Sequence, residues 1–227
     1  MVPARTLRGE QTRAAIFEAA LALFRERGYE ATTMRAIAER AETSLGSSYH
    51  YFPSKEHLVL ELYRRMHELH RAAAAPVLAR EKELVARLRG VLRAEVMTAE
   101  PFHDVAGALF STVANPQSPL NPFNQDSKPL RDEVIALYAE LVDGSDARLP
   151  EDVRVELPRL LWLYQMGVLY FWILDRSPGR LRTLEVIDET SELIGQLLGL
   201  VNLPVLRRSR QRALKLIASI VADPLVG

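Results

Sequence analysis

The sequence predicts an all-α fold, with short helices in the first third of the chain and longer ones after it. Three observations carry that expectation. Apolar residues recur at helical spacing along most of the chain. The stretch that alternates like a strand, 153–157, stands alone and cannot build a sheet. Glycine, proline and hydroxyl residues fall where helices should start and stop.

Residues 12–28 place Ile16, Ala19, Ala20, Leu23 and Phe24 on one face, and Gly28 follows as a C-terminal stop. Thr32 or Thr33 can cap a second helix, whose Met34, Ile37, Ala38 and Ala41 fall at i, i+3, i+4 and i+7. Thr43 or Ser44 can cap a third, short helix that runs to about Phe52. Pro53 ends it, and Ser54 can cap a fourth that carries Leu58, Leu62, Met66 and Leu69 to about Ala74. Helices are then expected near 79–98, 102–113, 129–142, 151–175, 180–201 and 204–221. The prolines at 116, 119, 122 and 129 make 115–129 a loop.

Within 160–174 only Gln165 and Gly167 interrupt the apolar run. It is shorter than the roughly 18–20 residues that cross a bilayer, so a helix buried on most sides is expected. The following helix is also strongly apolar. Together the two carry more apolar surface than one small helical domain covers. A second copy offering the same pair would complete a four-helix bundle.

Composition narrows the chemistry. There is no cysteine among the 227 residues, which excludes disulfides, thiolate nucleophiles and thiolate metal sites. The N-terminal stretch lacks the apolar segment of a signal peptide, so a cytoplasmic protein is expected. Net charge is zero, with 29 basic and 29 acidic residues. Its distribution is slightly uneven: residues 1–71 hold 11 Lys/Arg against 9 Asp/Glu, together with four of the five histidines.

The third helix is unusual. Residues 44–52 crowd Ser44, Gly46, Ser47, Ser48, Tyr49, His50 and Tyr51 into two turns. A core helix would not be this polar. A short helix, a tight turn and a second short helix suggest helix-turn-helix, whose second helix enters the DNA major groove. Small hydroxyl side chains allow close approach, and they and the helix N-terminal N–H groups can bind phosphate oxygens. Tyr49, His50 and Tyr51 can reach phosphates or bases, and Lys55 can pair with a phosphate. Tyr49 is expected to bury its ring and offer its hydroxyl.

The residues Phe24, Gly28, Tyr29, Thr33, Ile37, Ala38, Ala41, Ser44, Tyr49, Tyr51, Phe52 and Lys55 lie at a characteristic spacing. That stretch resembles the DNA-binding domain of the TetR family of one-component bacterial regulators. The resemblance covers about a quarter of the chain. It implies a helix-turn-helix DNA-binding domain over 1–54, a connecting helix over 55–74, and a ligand-binding and dimerisation bundle over 75–227. It also implies a homodimer on double-stranded, palindromic operator DNA, released by a small apolar or aromatic effector, with no catalysis, cofactor, metal or membrane. The DNA contacts it implies are Thr33, Thr43, Ser44, Gly46, Ser47, Ser48, Tyr49, His50, Tyr51 and Lys55.

Three positions depart from the family pattern. Glu42 stands where the turn usually has glycine, and Thr43 replaces a valine-like residue. Ser48 replaces a leucine or isoleucine; it either loosens the seat of the recognition helix or adds a DNA contact.

In the C-terminal part, Phe102, Phe110, Phe123, Tyr138, Trp162, Gln165 and Met166 are candidate pocket residues. Gln165 stands out because a polar group in an apolar helix needs a partner. Trp172, Leu184, Ile187, Ile194 and Leu198 are candidates for the dimer interface. His67 and His70 are spaced i, i+3 with no third metal ligand, and read as a solvated helix face. His103-Asp104 follows Pro101 as a helix start, without a nucleophile or carboxylate pair beside it. The basic run 207–215 reads as the solvated side of an amphipathic helix whose apolar side is Leu206, Ala213, Leu214, Ile217 and Val221.

Overall fold

The computed structural model describes residues 4–203, 205 and 207–222, with side chains described for 8–203, 205 and 207–216. Among these residues every regular element is helical. In order they are α1 (Ala4–Arg27), α2 (Met34–Arg40), α3 (Leu45–Tyr51), α4 (Lys55–Arg80), α5 (Leu84–Ala99), α6 (His103–Ala114), α7 (Lys128–Asp143), α8 (Glu151–Leu174), α9 (Leu181–Leu200) and α10 (Arg207–Ala222). Leu206 and the side chains of Ile217 and Val221 lie outside the described residues.

The local signals act where they were expected. Gly28 takes φ +79° directly after α1. Thr33 caps α2 by accepting from Ala36 N, and Ser44 caps α3 by accepting from Ser47 N. One boundary is different. α4 does not end near Ala74 but runs through Pro76 to Arg80. Ala74 and Leu78 are both buried in the second core, and their packing outweighs the backbone hydrogen bond that proline removes.

Two apolar cores organise the chain. The first joins Ile16, Phe17, Phe24 and Ile37 of α1 and α2 to Leu58, Val59 and Leu62 of α4. It also takes in Val105 and Leu109 of α6, and Leu120. The second core lies among α4, α5, α7, α8 and α9 and contains Leu88, Val91, Leu92, Leu141, Leu157, Trp162, Trp172 and Ile187. Met66 packs against both. α8 is long and apolar enough to cross a bilayer by length and composition, but Val153, Leu157, Leu161, Val168 and Trp172 pack into the second core. Its alternating start, 153–157, is helical, since the neighbours it packs on are helices rather than strand edges.

Polar contacts lock the long helices together. Glu61 of α4 accepts from Arg13 Nη1 of α1 at 3.0 Å, from Arg64 Nε at 2.9 Å and from Arg65 Nε at 3.0 Å. Burial alone would raise its pKa, but these three guanidinium groups hold it below the usual carboxylate range. The basic helix α10 is pinned to α8 by Arg210, whose Nε lies 3.1 Å from Asp152 Oδ2, and by the buried Leu214.

Candidate nucleic-acid interface and adjoining cavity

The turn between α2 and α3 is a Schellman motif. Thr43 N donates to Ala38 O at 3.0 Å and Glu42 N to Glu39 O at 3.2 Å. This geometry needs a left-handed residue, and Glu42 supplies it at φ +50°. A non-glycine residue in that region costs about 1 kcal/mol. Glu42→Gly is therefore expected to raise stability by about 0.5–1 kcal/mol, measured by urea denaturation. A variant no more stable than the parent would mean that the carboxylate offsets the backbone cost.

The turn sets α3 with one side outward. Thr33, Ser44, Gly46, Tyr49 and His50 are exposed, and Thr43, Ser47, Tyr51 and Lys55 are half-buried. Gly46 has open space where a side chain would stand, so a partner can approach the backbone closely there. Two expectations are corrected. Ser48 is fully buried, with no partner for its hydroxyl, and it faces the protein interior instead of DNA. Its place three residues after Leu45 and four before Phe52 puts it on the inward side of α3. Tyr49 leaves 48% of its surface exposed instead of burying its ring. Tyr51 takes the half-buried position, with its hydroxyl close to Gly9 of α1.

Lys55 does more than face outward. Its Nζ donates to Tyr29 O at 2.7 Å and lies 4.2 Å from the Tyr29 ring centroid. Tyr29 in turn donates to Glu56 Oε1 at 2.8 Å. The first turn of α4 is thus strapped to the segment that follows α1.

The helix that carries this strap continues into the wall of a cavity of about 400 Å³. Leu62, Tyr63, Met66, His67 and His70 of α4 line it, opposite residues of α5 to α8. Of the candidate pocket residues, Phe110, Phe123, Trp162, Gln165 and Met166 line it too. Phe102 and Tyr138 do not. Phe102 packs against the first core, and Tyr138 is fully buried in the second. Trp172, expected at a dimer interface, is buried and lines the cavity, with His103 edge-on at 4.8 Å between ring centroids. His67 and His70 are buried, not solvated, because α4 turns this side toward α5 and α7.

The cavity has residues that the sequence reading passed over. Glu95 of α5 accepts from Gln165 Nε2, and its Oε2 has no partner. Burial raises the Glu95 pKa to about 8 and lowers that of His70 to about 4. The signal for Glu95 was present: it falls in register with Leu88, Val91, Leu92 and Val96 on the apolar face of α5.

These two groups act on stability in opposite senses. Between their ordinary values and about 8, Glu95 keeps its proton in the folded chain and loses it in the unfolded one, so stability falls as pH rises. His70 does the reverse between 6.5 and about 4, where stability falls as pH drops. Where the windows overlap the two offset. From pH 6.5 to 8 only Glu95 remains, giving a loss of about 2 kcal/mol. Glu95→Gln is expected to abolish that alkaline loss, read as Tm against pH; an unchanged alkaline limb would place its origin elsewhere.

None of the five candidate interface residues is fully exposed. Ile187 is buried in this chain's own core, and Leu184, Ile194 and Leu198 are half-buried against it. The exposed apolar side of α9 is instead Leu193, Leu197 and Leu200, at i, i+4 and i+7. Tyr170, Phe171 and Leu174 of α8 are also exposed.

Comparison with known proteins decides the family. Residues 16–62 match the model of bacterial regulatory proteins of the tetR family. Residues 87–210, more than half of the chain, match that of the tetracyclin repressor-like C-terminal domain. The chain belongs to the TetR family. The transcriptional repressor KstR of Rhodococcus jostii is 48% identical over 59 residues, 26% of this chain and 28% of that protein. The repressor KstR2 of Mycobacterium tuberculosis is 37% identical over 91 residues, 40% of this chain and 46% of that protein. The chain thus aligns with less than half the length of these relatives. The crystal structure of a TetR-family regulator from Syntrophomonas wolfei superposes with a TM-score of 0.66 at 20% identity, covering 82% of this chain and 95% of that one. A TetR regulator from Nitrosomonas europaea gives 0.61 at 17%, covering 80% and 96%. This TetR-family member matches the family's N-terminal model and a C-terminal one.

Proposed function

We propose that this regulator is a homodimeric, cytoplasmic repressor of a palindromic operator, released when a small apolar or aromatic effector fills the cavity. The observation that carries the reading is the double use of α4. Its first turns, through Leu58, Val59 and Leu62, build the core that seats α3. Its middle turns, through Tyr63, Met66, His67 and His70, form the cavity wall. A ligand cannot press on the second set without loading the first. The exposed surfaces of α8 and α9 offer a second copy the contact that sets the spacing of two α3 helices. Two successive major grooves lie about 34–36 Å apart.

A ligand that prefers the wrong spacing weakens operator binding by its differential affinity, typically about 1–3 kcal/mol. A nearly complete switch needs about 5.5 kcal/mol. The repressor names of the related proteins support the sign of the regulation.

The test is selection of bound duplexes from random DNA with the full chain. Two inverted half-sites about one helical turn apart are expected. Tyr49→Ala should weaken binding to the selected duplex roughly tenfold, about 1.4 kcal/mol, with the dimer intact. Selection of no sequence, or of an asymmetric single site, would sink the reading.

A further inference from the structure

The cavity wall is mostly apolar, and two of its polar places are not satisfied by the protein alone; His67, whose Nδ1 also lacks a partner, stands elsewhere on the wall. At the first, Arg131 of α7 is buried. Its Nη1 donates to Pro122 O at 2.6 Å and Asn124 O at 3.2 Å, and its guanidinium lies 6.0 Å from the Trp162 ring centroid. Among the described residues no carboxylate stands within ion-pair distance of it; Asp132, its neighbour in sequence, pairs with Lys128. Main-chain carbonyls solvate one nitrogen, but the charge has no counter-charge. A buried cation in that state is costly, and a planar anion can pair with it through two parallel hydrogen bonds.

At the second place, Gln165 and Glu95 share one hydrogen bond, which leaves Gln165 Oε1 and Glu95 Oε2 buried and unpartnered. His70 Nε2 lies 3.0 Å from Val91 O and must donate to it. Its Nδ1 is therefore an acceptor, 4.0 Å from Glu95 Oε1. Burial without a cationic partner holds Glu95 as the neutral acid, so the cluster presents one O–H donor beside two acceptors. A hydroxyl, which both donates and accepts, matches that set.

The two places are joined by α8 and α7. Trp162, under Arg131, precedes Gln165 by three residues. Val134, Trp162, Met166 and Leu169 supply apolar wall between them.

Resting on the effector reading above, we propose that the cavity selects an elongated apolar acid: a carboxylate on Arg131 and a hydroxyl among Glu95, Gln165 and His70. An amine meets the uncompensated guanidinium and is disfavoured. A plain hydrocarbon leaves both polar places unpaired.

The chain's two tryptophans, Trp162 and Trp172, both line the cavity and report its filling. Their fluorescence is titrated in the full-length protein with 8-hydroxyoctanoate, octanoate, 1-octanol and octylamine. The hydroxy acid is expected to bind at least roughly tenfold more tightly than octanoate or octanol, and octylamine most weakly. Arg131→Met should remove the advantage of both acids and leave octanol unchanged, whereas Arg131→Lys, which keeps the charge, should retain it. Gln165→Leu should remove the gain from the hydroxyl and leave octanoate unchanged. Equal binding of all four probes, or tightest binding of octylamine, overturns the ligand class while leaving an occupied cavity. No response to any probe, with operator binding intact, overturns both the class and the effector reading.

Discussion

Replacing Leu193 and Leu197 together with glutamate is expected to convert the proposed dimer to monomers and to lower operator affinity roughly 100-fold or more. In the single chain these two leucines leave 54% and 64% of their surface in solvent. They lie one turn apart on α9, so one partner surface can cover both. Full burial of each contributes about 1.5–3 kcal/mol, and a glutamate in the same place brings an unpaired charge instead. Operator affinity falls when the pairing is lost, because two linked α3 helices bind far better than one. The fold of the chain itself should not suffer, since neither side chain belongs to its core. Sedimentation analysis gives the mass and a thermal melt gives the fold. A doubly substituted chain that stays dimeric would move the interface off this side of α9. Ile187→Glu is the control, because that side chain is buried within its own chain and its loss acts on folding.

Arg87→Met should be the most damaging change to stability, costing about 3–5 kcal/mol and lowering Tm by roughly 10 °C or more. Arg87 is 2% exposed and, among the described residues, has no carboxylate within ion-pair distance; Glu140 pairs with Arg71 instead. Its guanidinium donates to Leu141 O, Leu78 O and Glu81 O, each at 2.7 Å, and to Glu140 O at 2.9 Å. These are carbonyls at or just past the C-terminal ends of α4 and α7; Glu140 O also accepts from Gly144 N at 3.1 Å. The negative ends of two helix dipoles point at one cation. Gly144 follows α7 where an added Cβ would overlap this guanidinium. Methionine fills the volume but removes the donor that Leu78 O, Glu81 O and Leu141 O share. Denaturant melts of the variant check this; a loss under 1 kcal/mol would mean that water replaces the arginine.

The reading head was legible because its signals are local. Thr33 and Ser44 cap the helices they precede, and Gly28 terminates α1 in the conformation that glycine adopts cheaply. Glu42 was marked only as standing where the family's turn usually has glycine, and the structure gives it the positive φ that glycine adopts cheaply. The cavity was legible in part. Gln165 was marked as a polar group needing a partner, but the partner, Glu95, is 70 residues away in sequence. Arg131 and His70 gave less sign, since an arginine or histidine on a helix looks the same in sequence whether it faces water or a cavity.

The dimer-side residues show the limit most clearly. α8 is apolar nearly all round, so no polar stripe marks which side faces out. Trp172 was placed at an interface from that run and Ile187 from the apolar side of α9, and both are buried in their own chain. By itself the sequence determined what depends on neighbours within one or two turns: helices, caps, the turn and the hydroxyl-rich reading helix. Only the tertiary structure decided which side of each long helix is covered, that Ser48 faces inward, and that Glu95, Gln165 and His70 meet. Those outcomes depend on helices far apart in the chain competing for the same apolar surface, and periodicity records how much of that surface a helix has but not which neighbour covers it.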